Sequence, residues 1–380
     1  MKRLLLIFIL IFPALLLNAQ DSTVVILRKD ITPKSSFFKR AISSISTINK
    51  DVNKRLDIDY LTFPHYSQDT KFGIMAAAIG VYSIDKKETL AKPSTISIIG
   101  DITTTGYYLM GIRGSNFLYN NRVLLDYSLN FSSFPSKFWG LGFSNASNSS
   151  NKSNYLREQA VIKSSAIYKL NSKNSVGFTA GYNYVDASKF ANNLLIEDLQ
   201  LTSRSFNYGL FYIYDKRDYA INATNGFYFK AQQLNYINCN AKPFFKSTLQ
   251  FNYYSPIWNG ATLALDLFSE LGYGTTPWQM MYNLGGTDRM RGYYLGRYRD
   301  NSAAIFTIEC RQKIYNRHSA VVWGGVGNVW GIEHFSLSHT LPNYGIGYRF
   351  ELNNRVRFRV DYGFGSMWQN SLIIGINEAF

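Results

Sequence analysis

Histidine and cysteine are nearly missing from this chain, at four and two in 380 residues. The histidines, His65, His318, His334 and His339, stand in no recognisable nucleophile motif. Only His334 and His339, in HFSLSH, lie close enough to suggest shared metal ligation, and two histidines five apart in an expected loop are usually solvated. No catalytic centre, metal site or cofactor is therefore expected. An oxidising compartment would permit a bridge between Cys239 and Cys310, but Cys310 falls on the outward parity of an expected strand, which disfavours the pair. Proline is scarce as well, nine residues against 27 phenylalanines and 28 tyrosines. Beyond the first nineteen residues no segment approaches a continuous apolar run of about 18, so transmembrane helices are not expected.

What stands at the start is a secretory leader. Lys2 and Arg3 precede the apolar Leu4 to Leu17, and Ala19 is a small residue before Gln20. Pro13 interrupts the run, which falls short of the roughly 20 residues of a membrane span, so cleavage near Ala19 is expected over retention as an anchor. No cysteine stands directly after that point, which argues against lipid attachment there. A secreted chain rich in strand-forming aromatics belongs among outer-membrane barrels or extracellular all-β proteins. Subtracting Lys2 and Arg3 from the net charge of +15 leaves +13, with no nucleic-acid motif beside it. A charged lumen, and loops facing anionic outer-membrane lipids including lipopolysaccharide, account for the excess, and nucleic acid is not expected as a partner.

Residues 20 to 60 are rich in Ser, Lys and Ile and nearly free of aromatics. Phe38, Ala41, Ile42, Ile45, Ile48, Val52 and Leu56 recur at spacings of three and four, the pattern of an amphipathic helix. Such a helix could pack at the periplasmic mouth, enter the barrel or lie on the membrane surface, and it is a candidate contact for other outer-membrane or periplasmic proteins. The segment is too short for a substantial domain of its own.

From about Leu61 the period changes to two. Val123, Leu125, Tyr127, Leu129 and Phe131 share one face against Arg122, Asp126, Ser128 and Asn130. Val356, Phe358, Val360, Tyr362 and Phe364 oppose Arg357, Arg359, Asp361 and Gly363, while Phe306, Ile308 and Cys310 oppose Thr307, Glu309, Arg311 and Lys313. One face suits hydrocarbon and the other water, which predicts an all-β fold, a transmembrane antiparallel β-barrel. Backbone groups in lipid must all be paired, so the sheet must close. Residues 61 to 380, at about 20 per strand and connection, give roughly 16 strands. The Asn- and Ser-rich stretch from Asn145 to Asn154 reads as an exposed loop, and Asp215, Arg217 and Asp218 as part of a lumen salt-bridge network.

Several segments, in order, resemble the bacterial surface antigen family, the outer-membrane barrel domain of the BamA/TamA superfamily. FPHYSQDTKFGIMAAAIGVYS (63 to 83), FPSKFWGLGFSN (134 to 145), YDKRDYAINATNGFYF (214 to 229), GGTDRMRGY (285 to 293), FTIECR (306 to 311), VVWGGVGNVW (321 to 330), YGIGYRF (344 to 350) and VRFRVDYGFG (356 to 365) carry the likeness. The resemblance implies 16 strands closed between first and last, with an Arg-Gly-aromatic loop folded back into the lumen. It places Gly285, Gly286, Arg289, Arg291, Gly292 and Tyr293 in that signature loop and Glu309 as its anchoring acid. A buried guanidinium needs a carboxylate, since an unpaired buried charge costs several kcal/mol. Gly325 stands where the family usually has an aspartate, so Arg291 is expected to lack one of two acids and to rest on Glu309. Arg359, Asp361, Tyr362 and Phe380 are read as the C-terminal strand signal; Ile376, Ile374 and Leu372 share the parity of Phe380, and Glu378 breaks it.

Relatives that assemble proteins carry periplasmic transport-associated repeats, and residues 20 to 60 cannot hold one, so the chain looks like a barrel-only member. Assistance to protein or lipid insertion or translocation is the function this implies. A passive channel or a structural subunit of a larger complex stays open beside it. The stretch LGGTDRMRGYYLGRYRD, for all its glycines and cations, lacks the Gly-Lys-Ser/Thr ending of a phosphate loop.

Overall fold

The computed structural model describes residues 56–67, 71–84, 92–192, 195–353 and 356–380; the leader and the amphipathic segment ahead of Leu56 lie outside the described residues. Alternating aromatic and β-branched positions favour extended backbone, and the described chain follows them into strands β1 (Leu56–Ser67), β2 (Lys71–Tyr82), β3 (Ser94–Thr103), β4 (Tyr108–Leu118), β5 (Val123–Phe138), β6 (Ser153–Lys169), β7 (Asn174–Ser188), β8 (Thr202–Asp215) and β9 (Gly226–Asn238). They continue as β10 (Phe244–Trp258), β11 (Ala261–Gly274), the short β12 (Tyr282–Leu284) and β13 (Tyr298–Asp300), then β14 (Ser302–Tyr315), β15 (His318–Trp330), β16 (Leu341–Asn353), β17 (Val356–Gly365) and β18 (Asn370–Ile376). Sixteen of these form one antiparallel sheet in which every neighbour in sequence is a neighbour in space, with β1 and β18 at its two ends. The strands β12 and β13 pair only with each other.

Residue parity sets the two faces. On β14, Phe306 and Ile308 are 40% and 42% exposed while Thr307 and Glu309 are 2% and 0% exposed. The sheet wraps around the β11–β14 connection: Arg157 of β6 donates to the main-chain oxygen of Gln279 at 3.2 Å, and from the opposite side Asn343 of β16 donates to that of Arg291 at 2.6 Å. An even number of wall strands puts the start of β1 and the end of β18 at one mouth, the terminal mouth, and the β11–β14 connection at the other, the plug mouth.

Three sequence expectations change. The first strand begins at Leu56, ahead of 61 and at the position that closes the helical pattern, because twelve consecutive rungs run from Leu56 opposite Tyr82 to Ser67 opposite Lys71. Asn145 to Asn154 is largely exposed, as expected, but it is a structured cap rather than a plain loop: α1 (Gly142–Ser147) buries Ala146, and β6 begins at Ser153. Phe380 does not continue β18, which ends at Ile376; it lies at the terminal mouth, its main-chain oxygen accepting from Arg311 at 3.0 Å and its ring 5.2 Å from that guanidinium. The two cysteines are free thiols.

Candidate functional site

The site is the plug, residues 275–301, and the wall it presses against. β12 and β13 make a hairpin stem, and its tip turns on glycine: Gly285, Gly286 and Gly292 sit at φ 109°, 105° and 121°, where a side chain is strained. The tip meets β17 main chain to main chain. A Cβ on Gly292 would lie 2.7 Å from the Phe364 carbonyl carbon, and one on Gly363 would lie 2.4 Å from the Arg291 oxygen. Only glycine on both sides permits that approach. Tyr293 locks the far side: its hydroxyl donates to Pro342 O at 2.6 Å and accepts from Ser366 N at 2.8 Å.

Arg291 is buried and doubly paired. Its Nη2 donates to Glu309 Oε2 of β14 at 2.5 Å and its Nη1 to Asp361 Oδ2 of β17 at 2.8 Å, while the guanidinium lies 3.7 Å from the Trp323 ring centroid on β15. A cation over an indole face in a dry site adds to both ion pairs. The expectation that Gly325 leaves Arg291 with one main acid is therefore corrected. The second carboxylate comes from Asp361, a water-face residue that the sequence offers as part of the C-terminal strand signal and not as a partner of Arg291. Gly325 has its own reason, since a Cβ there would lie 2.6 Å from Phe306 O and 3.1 Å from Asn343 Oδ1.

The neighbours extend the network. Asp361 also takes Arg349 Nη1, and Arg349 Nε donates to Glu378 Oε2 at 2.8 Å. Glu378 receives Arg357 at 2.8 Å, and Arg311 divides between Glu309 at 2.7 Å and Glu378 at 3.7 Å. The residue that breaks the strand parity is thus a buried hub at the terminal mouth. Arg359 holds the plug directly, donating to Asp288 Oδ1 at 3.1 Å and Thr287 O at 3.2 Å. Arg289 reaches Asp266 of β11 with Nε at 2.6 Å and Nη2 at 3.1 Å. Burial works against the Arg289 cation, but the Asp266 carboxylate outweighs it and holds the guanidinium above its ordinary range. At the plug's end, burial pushes the Asp300 carboxyl up even though it accepts N–H groups of Ile332 and Asn301, each at 2.7 Å.

The structure thus gathers Gly285, Gly286, Arg289, Arg291, Gly292, Tyr293, Glu309, Arg359 and Asp361 into one cluster. It leaves Tyr362 on the outer face, donating to Asn370 at 3.2 Å, and Phe380 at the terminal mouth. His339 stacks on Phe143 of α1 at 4.3 Å. Arg217 pairs with Asp215 at 2.8 Å, and Asp218 caps the β8–β9 turn by accepting from Tyr219, Thr224 and Asn225. Sequence reasoning missed Asp266, Asp288, Trp323 and Arg349 as parts of the site. A signal existed for Asp266, a single acid inside the apolar run ATLALDLF.

The sequence matches the Omp85 superfamily domain over residues 110–372. The chain belongs to the Omp85 superfamily. No curated protein matches it by sequence. Among solved structures it is similar to BamA from Haemophilus ducreyi lacking POTRA domains 1-3, with a TM-score of 0.61 at 11% identity over 86% of this chain and 69% of that one. It is also similar to CdiB from Acinetobacter baumannii (TM-score 0.56, 12% identity) and CdiB from Escherichia coli (0.54, 10%), covering 86% of this chain in each and 60% and 62% of theirs. At such identities the likeness establishes the fold. This Omp85 chain is an outer-membrane β-barrel with an inward-folded plug.

Proposed function

We propose that this Omp85 barrel assists the insertion or translocation of proteins or lipids at the outer membrane through the seam between β1 and β18. The observation that carries the reading is the last strand: β18 has seven residues and β1 twelve, and the two are the ends of the hydrogen-bonded order. A strand crossing a bilayer needs about 9–11 residues. Edge N–H and C=O groups facing hydrocarbon without a partner cost several kcal/mol each, so a short edge favours pairing with an incoming strand. The plug supports the same reading. Its ion pairs to β14 and β17, and the Asn343 bond from β16, bind the last strands into one unit, so parting is concentrated at the seam. In this reading the leader is removed near Ala19, and the segment before β1 is available to periplasmic partners.

The test is reconstitution of the purified barrel in liposomes, comparing ion conductance with the rate at which an unfolded barrel substrate inserts. Faster insertion without conductance is the expected result. Conductance with no acceleration would instead describe a passive channel.

A further inference from the structure

At the terminal mouth the β14–β15 turn opens a recess of about 440 Å³ lined by Lys313, Asn316, Arg317, His318 and Phe350. Its shape has a local cause. The β14–β15 ladder slips between Lys313 and Tyr315, and Asn316 takes a left-handed φ of 43°, so the turn swings clear of the sheet. Two main-chain bonds hold it there, Lys313 N to Gly260 O at 2.7 Å and Glu351 N to Arg317 O at 2.8 Å. The floor is aromatic, with Phe350 5.2 Å edge-on from the His318 ring, and His318 Nδ1 shares a 2.5 Å hydrogen bond with Tyr348. The rim carries the Lys313 and Arg317 cations. A nearby carboxylate, Glu351, lies 3.8 Å from Arg357.

The surroundings indicate the ligand. Trp258, Ile314 and Tyr315 are 61%, 65% and 68% exposed beside the recess, and Trp258 keeps its N–H on Gln312 at 2.6 Å. Exposed aromatic and aliphatic side chains at a barrel rim mark the level where acyl chains meet headgroups. Cations at that level, over an apolar floor, match a phosphate joined to hydrocarbon. We propose that the recess binds the phosphate of an anionic phospholipid in the leaflet at the terminal mouth, with Lys313 and Arg317 at the oxyanion and Phe350 under the first acyl carbons. The site goes beyond the seam reading and does not depend on it.

Native mass spectrometry of the barrel released from nanodiscs tests this, comparing retained phosphatidylglycerol with retained phosphatidylcholine. Lys313→Gln with Arg317→Gln should lower phosphatidylglycerol retention about tenfold, given roughly tenfold in affinity per 1.4 kcal/mol, while retained phosphatidylcholine and heat-modified gel mobility stay as in the parent. Lys173→Gln with Lys216→Gln, cations on other turns of the same mouth, should leave retention unchanged. Equal retention in both double variants overturns the proposal. Inorganic phosphate that binds alone and displaces the lipid at equal concentration reassigns the recess to a free anion and overturns the lipid assignment.

Discussion

Between β5 and β8 the buried polar side chains are hydroxyls, among them Ser132, Ser165, Thr179, Ser203 and Ser205, whereas between β11 and β17 they include the charges of Asp266, Glu309, Arg311, Arg349, Arg359 and Asp361. Water must be replaced on both walls, but it is replaced differently. The Ser165 hydroxyl finds its partner directly opposite on the next strand, Thr179 at 2.9 Å. A buried charge must find an opposite charge wherever the fold supplies one, and Arg291 reaches 18 residues forward to Glu309 and 70 to Asp361. The hydroxyls therefore stabilise the sheet locally and the charged wall holds the tip of the plug, while Arg157 of β6 reaches the plug at Gln279.

The largest effect should come from removing one carboxylate of the charged wall. Asp361→Asn leaves Arg291 and Arg349 each short of an acid, and breaking a buried pair on one side costs about 3–5 kcal/mol. Trypsin should then nick the plug after Arg289 or Arg291, and single-channel currents should rise. Glu309→Gln should do the same more weakly, since Asp361 still holds Arg291. Wild-type currents and full protease protection in both variants would sink the assignment of these acids as the lock. Next in size is Gly292→Ala, which puts a methyl 2.7 Å from the Phe364 carbonyl at a φ of 121°. Backbone strain of this kind costs on the order of 1–3 kcal/mol before the clash is counted. The temperature at which heat-modified gel mobility changes should fall, with the plug nicked as in Asp361→Asn. A variant that keeps the parent's transition would mean the tip does not press on β17.

The contrast between the walls also explains how much was legible. Strand period and parity are local, so the all-β architecture and the lumen side of Glu309, Arg359 and Asp361 are legible from alternation, while the count of sixteen rests on chain length and the family resemblance. The partners could not, because alternation says which face a charge occupies and nothing about which charge stands opposite across the lumen. Alternation puts Asp361 on the water face without disclosing its bond to Arg291. Glu378 looked like a defect in an outward pattern because the strand was carried to Phe380; once β18 ends at Ile376, the residue is free to turn inward among Arg311, Arg349 and Arg357. Likewise the burial of Ala146 inside an otherwise exposed Asn-rich cap is not legible locally, because the surface covering it comes from the plug, whose Arg297 donates to Ala146 O at 3.0 Å from 151 residues away.

A smaller, pH-dependent effect belongs to the β8–β9 turn, outside both walls. Partial burial raises the Asp218 carboxyl, but the hydroxyl of Thr224 and the main-chain N–H groups of Thr224, Asn225 and Tyr219 outweigh it and hold the pKa below the ordinary value. A depressed carboxylate contributes stability that is present above the unfolded pKa of about 3.9 and is lost as the pH falls through the lower folded value. Asp218→Asn should therefore lower the transition temperature slightly at pH 7, and the gap to the parent should close as the pH falls below the ordinary carboxylate range. A gap that persists at acid pH would assign the effect to packing rather than to charge.

The smallest effect is expected on the hydroxyl wall, and it tests whether the two walls really differ in what they control. Ser165→Ala removes one neutral hydrogen bond, worth about 0.5–1.5 kcal/mol. Thr179 keeps a partner, because its hydroxyl also donates to Ser164 O at 3.0 Å, which places the cost at the low end. Since neither residue bonds to the plug, protease protection and single-channel current should match the parent while the transition temperature drops by a degree or two. If Ser165→Ala instead loosens the plug as Asp361→Asn does, the walls are coupled through the sheet and the division between local stabilisation and plug placement fails.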